Sequence, residues 1–409
     1  MIFWGMGVCD LRKRYRKRWK KIRRRLRFWM RVMLLRVVRP MLYRLACLFT
    51  AIDPKLVLFA NESVAEPGDN FLAIMDKLTA LGYRCVYVGK IEEEPHWHRI
   101  MRMNLFYITY ARARAVFHVE LCSLTGYAKP RKGTDIVQLW HGCGAFKKFG
   151  YSSINSGWGA SARTFRWFPM HQRTTYVCVS SPEVIPCYME AMNLNESHIK
   201  PWGAPRTDFF FREHIAEACR DEILRAFPDI GSRKIVLYAP TFRGSKMRKA
   251  RHDNVLDYAQ MTKELGEDCA LLLKPHPRSK TVIPVPEPGQ VPFVFDAGYL
   301  PIERLLCAAD LVISDYSSLI FEYALLERPM LFYAYDLAGY DSSRSFYYPY
   351  IEFVPGDLVW DTEDVITGIR KNLLEDGFDK EQVVKFKERF MSACDGHSAD
   401  RILHHVLGI

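Results

Sequence analysis

The 409-residue chain holds 11 cysteines but no Cys-x-x-Cys pair and no Cys/His cluster at zinc-ligand spacing. An odd number of scattered thiols with no framework spacing excludes a disulfide-stapled secreted domain and points to reduced thiols in a cytosolic compartment. No uninterrupted apolar run reaches the roughly 20 residues that span a bilayer, and Arg31, Arg36, Arg39 and Arg44 break the apolar stretches near the N-terminus. The positive region before them is far too long for a secretory signal. There is no Gly-rich Walker lysine loop, no dinucleotide glycine fingerprint, and no Asp-x-Asp pair to suggest a bound metal. Neither a metal nor a cofactor is expected. Internal repeats and long low-complexity linkers are also missing.

Acidic residues are scarce where the charge is greatest. Residues 12–27 contain twelve Arg or Lys and no acid, and Asp10 is the only acid before them. The net charge of +12 therefore divides into +11 for residues 1–27 and +1 for the rest. An apolar fraction of 49% with 25 Phe, 21 Tyr and 9 Trp excludes global disorder and supplies enough material for two cores.

On a helix, Leu11, Tyr15, Trp19, Ile22, Leu26, Trp29 and Met33 recur at steps of three and four, forming one apolar stripe among cations. Pro40 is expected to end that helix. Cations alone would serve a nucleic acid equally well, and a solvated basic tail is the plain alternative. A nucleic-acid arm needs no periodic Trp/Ile/Leu/Met stripe, whereas an anionic membrane interface uses both faces. Trp19, Ile22, Leu26, Trp29 and Met33 are thus the expected membrane-binding residues.

From Pro54 strands alternate with helices. "KLVLFA" (55–60), "RCVYVG" (84–89), "AVFHVEL" (115–121), "DIVQLW" (135–140), "TYVCVSS" (175–181) and "HIKPWG" (198–203) read as the strands of one unit. "KIVLYAP" (234–240), "CALLLKPHP" (269–277), "DLVISDY" (310–316) and "PMLFYAYD" (329–336) belong to a second, and the chain from Thr362 is mostly helical. The expected fold class is α/β, with two doubly wound Rossmann-like domains facing a cleft at the carboxyl ends of their strands. The expected divisions are 1–53 for a basic amphipathic segment, 54–204 for the first domain and 205–409 for the second.

Five polar stretches sit where apolar strands end: His141-Gly142, Thr241-Phe242-Arg243, Lys274-Pro275-His276-Pro277, Asp315-Tyr316-Ser317-Ser318, and Asp336 with Arg344. Ser317 and Ser318 open a helix and suit a phosphate, with Arg243 offering a fork and Lys274 a compact charge. Such groups fit a pyrophosphate. Each has a plainer reading: helix caps for the serines, surface charges for Arg243 and Lys274, a loop hydrogen bond for His276. Glu322 faces either the cleft or solvent. His141 stands in "QLWHGCG" as a core residue, a metal ligand, a base or a partner of Cys143, and adjacency in sequence is not triad geometry.

The stretches "WHG…KK.G", "PRTDFF", "LYAPTFRG", "LKPHP" and "SDYSSLIFEYALLERPMLFYAYDLAGY" resemble, in order and spacing, the CDP-glycerol glycerophosphotransferase family of teichoic acid primases and polymerases. The resemblance implies a GT-B-like fold, with an acceptor-side first domain and a nucleotide-side second one. It implies a CDP-glycerol donor, with CDP-ribitol or a nucleotide sugar as alternatives, and a lipid-linked acceptor at the cytoplasmic face of the membrane. His141 corresponds to a general base and His276 to a second histidine that stabilises the pyrophosphate. Arg206, Thr241, Arg243, Lys274, Asp315, Ser317, Ser318 and Glu322 fall on the donor side. Gly142, Lys147, Lys148, Asp336 and Arg344 line the acceptor side or the cleft. The sequence departs from the family at Cys143-Gly144-Ala145, where relatives often carry Thr-Pro-Leu, so these positions bear on acceptor or subfamily identity, while the histidine and Lys147-Lys148 remain. A non-catalytic membrane-tethered protein has no need to keep His141, Arg243, His276, Ser317 and Ser318 together. An RNA-binding protein leaves the strand-end groups unexplained, so no nucleic-acid partner is expected.

Overall fold

The computed structural model describes residues 4–91, 93–154, 159–169, 171–241, 256–275, 292–343 and 345–409. A basic helix, α1 (Trp4–Met33), passes through a short π-helical stretch, Leu34–Val38, into α2 (Arg39–Phe49). Pro40 therefore does not end the helix. The wider π turn precedes it, and Pro40 stands in the first turn of α2, where a missing N–H costs least.

The first sheet contains β1 (Asp53–Ala60), β2 (Arg84–Val88), β3 (Ala113–His118), β4 (Asp135–Gln138), β5 (Tyr176–Cys178) and β6 (Ile199–Lys200), in the order β2-β1-β3-β4-β5-β6. The second contains β7 (Lys234–Tyr238), β8 (Cys269–Leu273), β9 (Val294–Asp296), β10 (Leu311–Ser314), β11 (Met330–Tyr333) and β12 (Asp357–Val359), in the order β12-β11-β10-β7-β8-β9. Every pairing is parallel.

Continuous apolar strands need cover on both faces, and β1 shows how it is supplied. Leu56 and Leu58 pack with Tyr43 of α2 and with Phe106 and Tyr110 of α4 (His96–Arg112). Val57 and Phe59 pack on the opposite face with Phe71 and Ile74 of α3 (Asp69–Ala80). The last helix, Ser398–Leu407, joins that opposite face through Ala399, Ile402 and Val406. The chain thus returns to the first sheet after completing the second.

Register places the functional loops on one level. Ala60 pairs with His118 and His118 with Gln138, so the loops after β1, β3 and β4 leave the sheet together. Tyr238 pairs with Ile313 and Leu273, and Ile313 with Leu331, which does the same for β7, β8, β10 and β11. The order reverses between β7 and β10, the position at which doubly wound sheets open a ligand crevice.

Candidate active site

The loop after β4 enters the second unit. Cys143, Ala145 and Phe146 are buried in one apolar cluster with Tyr316, Ile320, Phe321, Phe353 and Phe390. Phe146 stacks on Phe353 at 5.2 Å, and burying such a ring contributes about 2–3 kcal/mol. Gly144 has a left-handed φ of +64°, and a Cβ there would lie 2.2 Å from the Phe321 ring. Only glycine satisfies both demands.

His141 stands at the mouth of this loop, exposed to the cleft yet surrounded by protein. Burial depresses its pKa below the ordinary histidine value, and the Arg206 cation adds to this. The Glu120 carboxylate and a hydrogen bond to the Val119 backbone oppose the shift without cancelling it. The imidazole is thereby kept neutral near pH 7, as a proton acceptor must be. The residue before it, Trp140, has φ of +60°, a conformation that costs a non-glycine residue on the order of 1 kcal/mol. Its indole stacks on Phe149 at 4.9 Å, and its backbone N–H donates to Gln138 Oε1 at 2.9 Å.

Across the cleft stands the segment after β10. A Cβ on Gly142 would lie 3.6 Å from Ser318 Oγ, so the His141-Gly142 loop and Ser318 face each other at van der Waals range. Ser318 is exposed at the start of the helix Leu319–Ala324, and its side chain makes no cap bond. Ser317 Oγ accepts a long bond, 3.4 Å, from the Leu319 N–H.

Asp315 closes the crevice floor. Its carboxylate accepts from Thr241 Oγ1 at 2.8 Å and from the Thr241 and Tyr316 N–H groups, joining the ends of β7 and β10. Its carbonyl accepts from Tyr350 Oη at 2.7 Å. Asp315 and Thr241 thus shape the loop. Asp336 accepts from Tyr316 Oη at 2.9 Å, and that ring stacks on Tyr340.

Glu322 faces neither open solvent nor the serines. It is buried, forms an ion pair with Arg206, and accepts from Cys143 Sγ at 3.7 Å. Burial raises its pKa, and Arg206 works against that rise. Burial also disfavours charge on Arg206, but the Glu322 carboxylate, with Asp69 adding, offsets it and the guanidinium is held charged. The Cys143 thiol is pushed well above its ordinary pKa by contact with Cys394, by burial and by Glu322. It lacks the thiolate character of a nucleophile.

Lys274 departs from its expected place. Its ammonium donates to the carbonyls of Gly298, at 2.7 Å, and Leu300, at 2.5 Å, so it braces the loop after β9. Burial lowers its pKa. Lys147 bridges to Phe346 and places Nζ over Tyr340, while Lys148 lies over Tyr347. Arg243, His276 and Arg344 lie outside the described residues. Sequence reasoning missed Asn70, Glu120 and Gln138, which surround Trp140-His141. Only their places at the ends of strands or the start of a helix could have signalled them. Beside the Arg206–Glu322 pair, a cavity of about 500 Å³ opens between Asp69 and Asp76 of α3, Phe209 of the 3₁₀ segment Pro205–Phe211 that also carries Arg206, and Glu303.

Two Rossmann-like parallel sheets with a cleft between their strand ends define a GT-B-like protein. The chain belongs to the CDP-glycerol:poly(glycerophosphate) glycerophosphotransferase family, whose model matches residues 41–408. It is 32% identical to the teichoic acid ribitol-phosphate primase of Bacillus spizizenii over 92% of this chain and 98% of that one. It is 29% identical to the teichoic acid glycerol-phosphate primase of Bacillus subtilis over 69% of this chain and 70% of that one. Against the poly(ribitol-phosphate) polymerase of Bacillus spizizenii, at 31% identity over 86% of this chain, it spans 56% of the relative. The solved wall teichoic acid polymerase TagF superposes with a TM-score of 0.71 at 22% identity, over 95% of this chain and 97% of that one. These relatives make the chain a transferase of the polyol-phosphate class in teichoic acid synthesis. Among the described residues no helix is long and apolar enough to cross a membrane.

Proposed function

We propose that the chain transfers glycerol phosphate from CDP-glycerol to a hydroxyl of a lipid-linked acceptor, at the cytoplasmic face of the membrane. The observation that carries this reading is the approach of the His141-Gly142 loop to Ser318 across the cleft. His141 takes the proton of the acceptor hydroxyl. The oxygen attacks the phosphorus bearing glycerol, its bond to CMP breaks, and a phosphodiester forms. CMP leaves as a monoester with a second pKa of about 6, so electrostatic support suffices without a dedicated acid. Ser317 and Ser318 supply hydroxyls to the pyrophosphate. Arg243 and His276 are assigned there by the family pattern alone.

Membrane attachment is supported by two surfaces. Trp19, Ile22, Leu26, Trp29 and Met33 are all exposed on α1 among its cations, while Phe28, Val32 and Leu35 turn the helix's other side toward Phe168. Met41, Leu45, Leu48 and Phe49 of α2 and Met101, Leu105 and Ile108 of α4 add a second exposed apolar face. Both suit an interfacial depth rather than a span.

A second reading, ribitol phosphate from CDP-ribitol, is favoured by the ribitol-phosphate primase that matches nearly end to end. Incubation with a lipid-linked acceptor and each CDP-polyol, with CMP release measured, decides between them. Release of a nucleoside diphosphate from a nucleotide sugar would replace both. His141→Ala is expected to lower turnover more than Ser317→Ala. Equal or greater loss from Ser317→Ala in folded protein would count against His141 as the base.

A further inference from the structure

The left-handed Trp140 is held at both of its peptide groups. Gln138 takes its N–H, and Asn70 Nδ2 donates to its carbonyl at 3.0 Å. Asn70 lies in the first turn of α3 and is 5% exposed. Its Oδ1 accepts the Arg206 N–H at 3.0 Å. The amide orientation follows from these partners, because a flipped amide would set oxygen against the Trp140 carbonyl and NH₂ against the Arg206 N–H. One buried side chain therefore ties the His141 loop to the segment that opens the second unit. The same segment carries the guanidinium paired with Glu322.

We propose that Asn70 is a positioning residue for catalysis: it fixes the Trp140 carbonyl and so directs His141 toward the acceptor hydroxyl opposite Ser318. The inference rests on the reading of His141 as the general base. A backbone in the left-handed region relaxes readily once one anchor is removed, and rotation about Trp140 swings the next side chain. Misplacement by about 1 Å can cost on the order of 100-fold in rate. Asn70 also senses the relation of the two units, since its second bond reaches residue 206. No interaction with donor or acceptor is needed for this role, which separates it from a binding residue.

Two variants separate the two bonds. Asn70→Ala removes both, whereas Asn70→Asp keeps an acceptor for Arg206 N–H and loses the donor to Trp140. Each is expected to lower kcat about 10- to 100-fold, with the KM for CDP-polyol within about 2-fold and a cooperative thermal transition retained. In Asn70→Ala the acid limb of the kcat–pH profile should also move upward, as His141 leaves its confined position. The charged groups facing it, Glu120 and Arg206, are unchanged in that variant. Folded Asn70→Asp with kcat within 2-fold of wild type overturns the proposal. So does a loss in both variants that tracks only the folded fraction, with the acid limb unmoved. His141→Ala, assayed alongside, keeps the two readings apart: near-normal turnover there removes the base assignment, whatever the Asn70 variants show.

Discussion

His141 combines solvent access with a depressed pKa, and the sign of that shift makes a prediction. Its active form is neutral, so the acid limb of kcat should fall below pH 6.5, the ordinary histidine value. Turnover measured from pH 5 to 8 should be level through neutrality; a limb above 6.5 would contradict the burial argument. Two residues further on, Cys143 is held protonated, so Cys143→Ala should keep turnover within a few-fold. The glycines of this loop are not equivalent. Gly144→Ala meets the Phe321 ring at a left-handed φ and should cost about 2–4 kcal/mol in denaturant unfolding. Gly142→Ala has ordinary contact distance to Ser318 Oγ, so it should leave stability within about 1 kcal/mol. The alternation of apolar strands made the positions of His141 and Ser318 legible in the sequence. Asn70, Gln138 and Glu120 were not, because polar residues at loop and helix starts look like ordinary caps and turns.

Among the elements, α1 carries two faces with different partners. Of the stripe read from its periodicity, Tyr15, Trp19, Ile22, Leu26, Trp29 and Met33 are exposed, with Trp29 also meeting the Trp167 ring edge-on. A neighbouring stripe, Phe28 and Val32 continued by Leu35 of the π-helical turn, packs against Phe168. Replacing Trp19, Leu26 and Met33 with serine should abolish sedimentation with anionic liposomes. Turnover on a water-soluble acceptor analogue should be retained, because none of the three touches the cleft. Loss of both together would mean that the stripe supports the fold instead. Pro40 shows the limit of local rules at this scale. Read alone it stops a helix; preceded by a π turn it begins the next one. The strands were more legible than the helices, since runs such as Leu56–Ala60 are buried on both faces and show little alternation.

At the scale of the whole molecule, the first unit depends on two buried neutral histidines. His118 and His171 both have pKa values near 4, with burial as the leading cause. Their unfolded value is 6.5, so the unfolded chain binds more protons in between. Their contribution to stability is complete above pH 6.5, and is lost progressively as pH falls toward 4. At pH 5 each should have withdrawn on the order of 2 kcal/mol. The fall in unfolding free energy from pH 7 to 5 should therefore be smaller in His171→Gln by about that amount. An unchanged difference would show that His171 is not buried neutral. The two units are also coupled through the loop at 143–146 and through the last helix, so unfolding should be a single transition in spite of the two sheets.

By itself the sequence determined the alternation of strands and helices, the basic amphipathic start, the strand-end positions of the chemical groups and the family. Apolar period and turn residues act over a few neighbours, and those are the interactions that such patterns record. The tertiary structure alone decided how the polar side chains are used. Lys274 braces a loop, Glu322 pairs with Arg206, Asp315 joins two strands, and Cys143 fills a core. The last helix crosses back to the first sheet by the same kind of choice. A charge or hydrogen-bonding group can satisfy itself with any partner the fold brings within about 3 Å. For His141 and Ser318 those neighbours come from strands more than 170 residues apart in the chain.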